Sequence, residues 1–430
     1  MSKCVCAGRQ RLTRQGFDVS AQRLDWEHTH VSDAILGQVA LGYSPFIDRN
    51  RSVTATRLTV FPLKPDAVLD AAQLLHAVGS VWPADGGRVS LNVASESLLQ
   101  DLLKAEPSTN VMVEVPSFMA SDPVNIEALL ALHAHGNVML LKGRPLKELP
   151  REVLPCFKYS IIDLADDRRA VEGQQVPAGV TRTIPHVQGG VTTVADMEAS
   201  FNRGATAVLG WPIEDAVNNA IAGGKPAGQT DLQVIVELIN RVDKQEPIEK
   251  LEGSLKRDPS LAFKLMRYIN SPAFGLSVEI SSFRHAIMML GYQRLKRWLA
   301  LLLATASKDT NMKPVMFAAV RRGLLMEELV RSSGDDEMRN EMFICGVFSL
   351  LDRMFKQPFS ELMRTIPVPE RVYQALVDNT GPYQPYFELV KAVEAESLFD
   401  FRSAADNLMM SVVEINRAEL RALTAASQLD

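Results

Sequence analysis

Two patterns of apolar and polar positions divide this chain. From about Ile35 to Glu214, short β-branched runs alternate with stretches of helical period. The runs at 53–59, 89–93, 111–115, 138–141, 159–163, 181–185 and 207–209 predict strands, and 66–78, 125–135 and 194–203 predict helices between them. Such alternation predicts parallel strands with helical crossovers, either as a barrel or as a doubly wound sheet. Seven or so strands in this length favour a compact (β/α) barrel with some connections trimmed.

From Asp231 onward the period is helical throughout, at 232–243, 248–256, 260–269, 282–290, 292–306, 314–332, 338–355, 359–363, 369–378, 384–397 and 402–425. Pro272, Gly291, Pro314, Gly334, Pro358 and Gly381 punctuate it. The expected fold is therefore α/β plus all-α. Residues 1–34 are polar and without period and predict a poorly ordered extension; 35–215 form the barrel domain, 216–230 a linker and 231–430 the helical domain. The glycines between Gly223 and Gly228 mark the linker, a short tether that predicts two domains docking through a modest interface.

One stretch of the helical half has finer grammar. Asp258 is a good N-cap and Pro259 fits the first helical position, where its missing N–H costs nothing. Leu261, Leu265, Met266 and Ile269 make one apolar stripe, and Asn270-Ser271-Pro272 ends it. Phe274 is an apolar plug for the loop, Ser281 or Ser282 can cap the next helix, and Gly291 after Leu290 can end that helix.

Composition narrows the function classes. Hydrophobic residues make up 47% and charged residues 23%, the balance of a globular domain. A net charge of −5 argues against nucleic acid as the partner. No apolar run approaches a bilayer span, so no membrane partner is expected. Four cysteines predict a reducing, cytoplasmic setting without a disulfide framework, and Cys4 and Cys6 read as surface thiols. After residue 230 the only histidine is His285, so a multi-histidine metal site is excluded by count. Cys345 sits in an apolar helix with no histidine near it in sequence and reads as a core thiol.

The string from Asp258-Pro259 through Leu265, Asn270-Ser271, Phe274, Ser282, Ala286-Ile287 and Leu290-Gly291 resembles the HDOD family, a relative of the HD phosphohydrolases with a modified metal site. Where that relationship implies a His-Asp pair, this chain has Ser349-Leu350. The barrel half resembles a shortened EAL domain, the barrel that hydrolyses cyclic di-GMP. Its opening string is L-G-Y-S-P-F-I-D-R-N at 41–50, followed by Asn92, Glu114 and Asp163. The resemblance implies two divalent cations held by carboxylates and an asparagine at strand ends. Asn92, Glu114 and Asp163 remain as residual polar residues of that site. Arg57, Leu141, Lys142, Ile161, Thr193 and Leu209 stand at positions where the family carries glutamate, the aspartate pair, lysine, glutamate and glutamine. Two hard cations close together need several anionic oxygens, and fixed cations repel them.

The resemblance therefore implies a non-enzymatic signal-transduction protein, a catalytically inactive EAL barrel and a metal-free HDOD domain acting as sensing and docking modules. No catalytic residue, metal or cofactor is expected, and the partners are signalling proteins not identified by sequence. The alternative is a weak metal-dependent cyclic di-GMP phosphodiesterase or a cyclic di-GMP receptor, in which Arg57, Lys142 and Arg144 meet phosphates.

Overall fold

The computed structural model describes residues 34–82, 87–167, 184–215, 229–255, 265, 269–270, 282–305 and 309–427. Eight strands close a barrel in the order β1 (Val39–Asp48), β2 (Val53–Pro62), β3 (Val89–Val93), β4 (Val111–Pro116), β5 (Met139–Lys142), β6 (Phe157–Asp163), β7 (His186–Gly189) and β8 (Ala207–Leu209). β2 through β8 run parallel, while β1 is antiparallel to both its neighbours. Outside lie α1 (Ala71–Gly79), α2 (Glu96–Leu103), α3 (Ile126–His135) and α4 (Val194–Asn202). Their starts follow capping chemistry: Asp70, Ser95 and Thr193 each accept backbone N–H bonds in the first turn.

Two strand expectations are corrected. Residues 41–50 contain most of β1, a strand missing from the pattern because Gly42 and Pro45 interrupt it. The strand expected at 181–185 lies at His186–Gly189, and 181–183 fall outside the described residues.

Alternation along the strands sorts the barrel interior into two layers. Phe46, Ala55, Met112, Leu140, Ile161, Val187 and Leu209 pack into an apolar plug. One residue pair further along several of these strands, the interior becomes polar, at Ser44, Arg57, Thr59, Ser90, Asn92, Glu114 and Lys142. Leu58, Val60, Leu91, Val113 and Leu141 belong to the separate cluster that includes the surrounding helices.

The helical half comprises α5 (Gln229–Asp243), α6 (Ile248–Leu255), α7 (Phe283–Ala304), α8 (Lys313–Leu329), α9 (Asp336–Phe348), α10 (Gln384–Glu394), α11 (Leu398–Leu408) and α12 (Val412–Ser427), with short turns between α9 and α10. Two expected helices are broken. The one at 338–355 stops at Ser349, and the one at 402–425 divides at Met409, whose φ is 52°. The second break has a local cause: Ser411 and Glu414 exchange hydrogen bonds as a capping box and start α12 afresh.

Glycines set the distance between α8 and α9. A Cβ on Gly346 would lie 2.5 Å from the Arg322 backbone, and one on Gly323 would lie 2.9 Å from the Phe343 carbonyl oxygen. This close approach puts Arg322 beside Ser349 at the end of α9.

The barrel and the helices share one core, more extensive than the modest interface expected of tethered domains. A single cluster of buried apolar side chains runs from Ile35 to Ala426. The reason lies in β1. It pairs with β8 at Phe46–Asp48, and among the described residues no strand pairs with the side of Val39–Pro45 away from β2. Backbone groups on that side still need partners. Gly210 N–H donates to the Pro45 carbonyl, the Trp211 indole to that of Tyr43, and Asn416 of α12 serves both Leu41 and Val39.

Candidate functional site

The polar layer lies at the C-terminal ends of the parallel strands, where barrels of this kind place their sites. Arg57 of β2 is its centre. Its guanidinium pairs with Glu114 Oε2 of β4 at 2.8 Å and with Glu396 Oε2 at 3.3 Å. Ser90 donates to the other oxygen of Glu114 at 3.0 Å. Lys142 of β5 donates to Asn92 Oδ1 at 2.7 Å, and Asn92 donates to Thr59 Oγ1 at 3.1 Å. Thr59 donates in turn to Glu396 Oε1 at 2.6 Å, and Ser44 to the same oxygen at 3.2 Å. Glu396 comes from the turn between α10 and α11, so the helical half supplies a carboxylate to the barrel mouth.

The electrostatics follow from this placement. Burial works against the Arg57 charge, but Glu114 and Glu396 outweigh it and hold its pKa above the ordinary arginine value. Burial, and after it repulsion by Arg57, lowers the Lys142 pKa. The mouth thus holds two cationic side chains against the carboxylates of Glu114 and Glu396, with its oxygens already engaged. This donor set does not fit a pair of divalent cations, which need free anionic oxygens. Among the described residues no group of three or more His, Cys, Asp or Glu side chains is placed to hold a metal ion.

A second arginine–glutamate cluster lies across the cavity. Arg322 of α8 grips Glu394 at the end of α10 with Nε and Nη2, at 3.0 and 2.7 Å, and donates from Nη1 to Ser349 Oγ at 3.1 Å. Ser349 is the residue at the implied histidine position. Between the two clusters is a cavity of about 650 Å³, bordered by Arg57, Asp163, Trp211, Arg322, Ser349 and Glu396. That volume falls in the range of small-molecule sites.

Of the residues singled out in sequence, the structure brings Arg57, Asn92, Glu114 and Lys142 together. Asp163 sits at the cavity rim, exposed, accepting from the Ala165 N–H. Ile161 and Leu209 lie in the apolar plug. Leu141 packs with the outer cluster, and Thr193 caps α4. Arg144 borders a different cavity. In the helical half, Asp258, Pro259, Ser271 and Phe274 lie outside the described residues. Asn270 is exposed in a turn, Ser282 caps α7 by accepting from the His285 N–H, Leu290 is half-buried, and Gly291 kinks α7 with φ 72°. Sequence reasoning missed Ser44, Thr59, Arg322, Glu394 and Glu396. Ser44 lies in the opening string and Thr59 two positions after Arg57 on the same strand face, which was a usable signal.

Cys345 is fully buried, and burial followed by the nearby Glu341 charge pushes its thiol up to about 12. At pH 8 only about one thiol in 10⁴ would be thiolate. Iodoacetamide at pH 8 is expected to leave Cys345 unmodified in the native protein and to alkylate it in guanidinium, as read by peptide mass spectrometry. Alkylation of the native protein at the rate of a free thiol would show that this core opens.

Residues 230–356 match the HDOD domain family. The chain is 31% identical over 168 residues to YuxH of Bacillus subtilis, covering 37% of this chain and 40% of that protein. It is 26% identical over 145 residues to the cyclic di-GMP phosphodiesterase CdgJ of Vibrio cholerae, covering 34% of each. The chain thus spans well under half the length of these curated relatives. Among solved structures, the EAL enzyme Bd1971 in its cGMP-bound form aligns with 47% of this chain and 67% of its own at 14% identity and a TM-score of 0.32. The segment from 230 to 356 is an HDOD domain. Ahead of that segment lies the closed eight-stranded barrel. Among the described residues no helix is long and apolar enough to cross a membrane.

Proposed function

We propose that this chain is a non-enzymatic regulatory protein, in which a barrel without a two-metal centre and an HDOD domain without a metal centre serve as sensing and docking modules. One observation carries the reading. The Arg57 guanidinium lies between Glu114 and Glu396, at the position where the EAL resemblance implies a metal-binding glutamate, and a fixed cation there opposes the binding of two metals. Ser349, hydrogen-bonded to Arg322, supports the same reading for the helical half. Unidentified signalling proteins are the partners, and the setting is the cytoplasm.

The second reading is a cyclic di-GMP receptor or weak phosphodiesterase. The likeness to CdgJ and the cavity beside Arg57 favour it. Purified protein incubated with cyclic di-GMP and Mg²⁺ or Mn²⁺ is expected to yield no linear dinucleotide above a no-enzyme control by chromatography. Metal-dependent turnover would replace the first reading by the second.

A further inference from the structure

Glu396 is an unusual visitor to a barrel mouth. It reaches there from the turn joining α10 and α11 with a left-handed backbone, φ 52°, a conformation that side-chain-bearing residues rarely adopt. The barrel makes room for it: a Cβ on Gly42 of β1 would stand 3.2 Å from Glu396 Cγ and 3.3 Å from its Cα. Once there, its two oxygens take three donors, Thr59 and Ser44 on one and Arg57 on the other. A two-oxygen anion held by two hydroxyls and a guanidinium is also the way a phosphate edge is bound.

Charge supports the comparison. Arg57 and Lys142 face Glu114 and Glu396 in this layer. Without Glu396 the two cations would face Glu114 alone within the layer, with the exposed Asp163 at the rim adding a weaker attraction on Arg57. Glu396 therefore gives Arg57 a second direct ion pair beyond the one that Glu114 makes. Two positions earlier, Glu394 engages Arg322. A single turn thus places one carboxylate in each half's altered site.

We propose that Ser44, Arg57 and Thr59 form an oxyanion site that the chain fills with its own Glu396, and that a phosphate-bearing ligand entering the adjoining cavity displaces Glu396 and disturbs the Arg322–Glu394 pair. The turn at 394–396 is then the element that couples the barrel to the helical half. Coupling of this kind is reciprocal: whatever loosens Glu394 also eases entry at the barrel mouth. The proposal rests on the non-hydrolytic reading, since the ligand must bind intact.

The test is equilibrium binding by full-length protein. Cyclic di-GMP is one probe and inorganic phosphate the other, which separates a nucleotide phosphodiester from a free oxyanion. Glu396→Gln removes the competing charge, and Gly42→Val pushes the turn away without touching a donor. Each is expected to bind at least one probe about tenfold more tightly than wild type, the scale of one lost charge-assisted hydrogen bond. Adding Arg57→Gln to either variant is expected to abolish the gain. In wild type, saturating probe is expected to speed amide exchange at 394–397. Wild-type affinity in whichever variant folds overturns the proposal. If neither folds, unchanged exchange at 394–397 in wild type overturns it. Analysis of the ligand after each titration keeps the two ideas apart: breakdown of cyclic di-GMP refutes the non-hydrolytic reading, whereas intact ligand bound with equal affinity refutes the displacement by itself.

Discussion

Replacing Arg321 with alanine is expected to lower the unfolding free energy by about 3–5 kcal/mol, the cost of leaving a buried charge without its partner. Arg321 lies on α8 with no solvent exposure. It donates from Nη2 to Glu419 of α12, and its Nη1 lies 3.8 Å from Glu394. Its guanidinium carbon stands 3.8 Å above the ring of Tyr43 in β1, a cation–π contact within the shared core. One side chain therefore ties three helices to the barrel. Burial raises the Glu419 pKa even with Arg321 beside it. Without Arg321 that carboxyl is pushed further up. A carboxyl whose folded pKa lies above its unfolded value binds more protons in the folded state, so stability falls as pH rises between the two values. The alanine variant should accordingly lose less stability near pH 5 than near pH 8. Arg321→Met with Glu419→Leu is expected to recover most of the loss, because two apolar groups need no pairing. Guanidinium unfolding of the three proteins at both pH values decides this. An alanine variant within about 1 kcal/mol of wild type at pH 8 would show that the buried network contributes little, as exposed pairs do.

How much of this was legible in sequence depended on range. Signals carried by neighbouring residues were there to read. The β-branched runs matched β2 through β6 and β8 within a few residues, and Ser282 sits at the start of α7. The Ser411–Glu414 box was present in the letters but lay under a continuous helical period that ran across it. β1 was obscured by Gly42 and Pro45, residues that usually interrupt strands. The structure gives Gly42 a reason, since it leaves space for Glu396, and Pro45, which has no N–H to satisfy, lies just beyond the residues that pair with β8.

The site divided in the same way. Arg57, Asn92, Glu114 and Lys142 were picked out by the resemblance of their local strings, and the structure brings them together in one layer. Glu396 meets Arg57 across 339 residues of chain, and Arg322 meets Glu394 across 72. Nothing near either glutamate in sequence marks it, since both look like solvated positions of an amphipathic helix end. Arg321 and Arg322 are adjacent in sequence, yet both are buried, Arg321 against Glu419 and Glu394 and Arg322 against Glu394. Charge placement across a shared core is a tertiary fact, and the local periodicity that predicted α8 carries no trace of it.

Asn416→Ala is expected to cost at least about 3 kcal/mol, because it strands several buried backbone groups at once, each worth about 1–3 kcal/mol when left unsatisfied. Asn416 lies on α12 with no solvent exposure. Its Oδ1 accepts from the Leu41 N–H at 3.1 Å, and its Nδ2 donates to the carbonyls of Leu36 and Val39, both at 2.7 Å. The side-chain amide thus does for this part of β1 what a neighbouring strand would do, where β8 falls short. Water cannot replace it without entering the core that Ile35, Val39 and Ala418 share. Asn416→Asp separates the contributions. It keeps an acceptor for Leu41, loses both donors and sets a carboxylate against two carbonyl oxygens, so it is expected to be at least as damaging as alanine. Amide exchange supplies a local readout, since Asn416 Oδ1 is the acceptor for the Leu41 N–H. Exchange at Leu41 should accelerate in the alanine variant under conditions where the centre of β4 stays protected. If the alanine variant unfolds at the wild-type guanidinium midpoint with Leu41 equally protected, α12 only rests on the barrel and does not complete it.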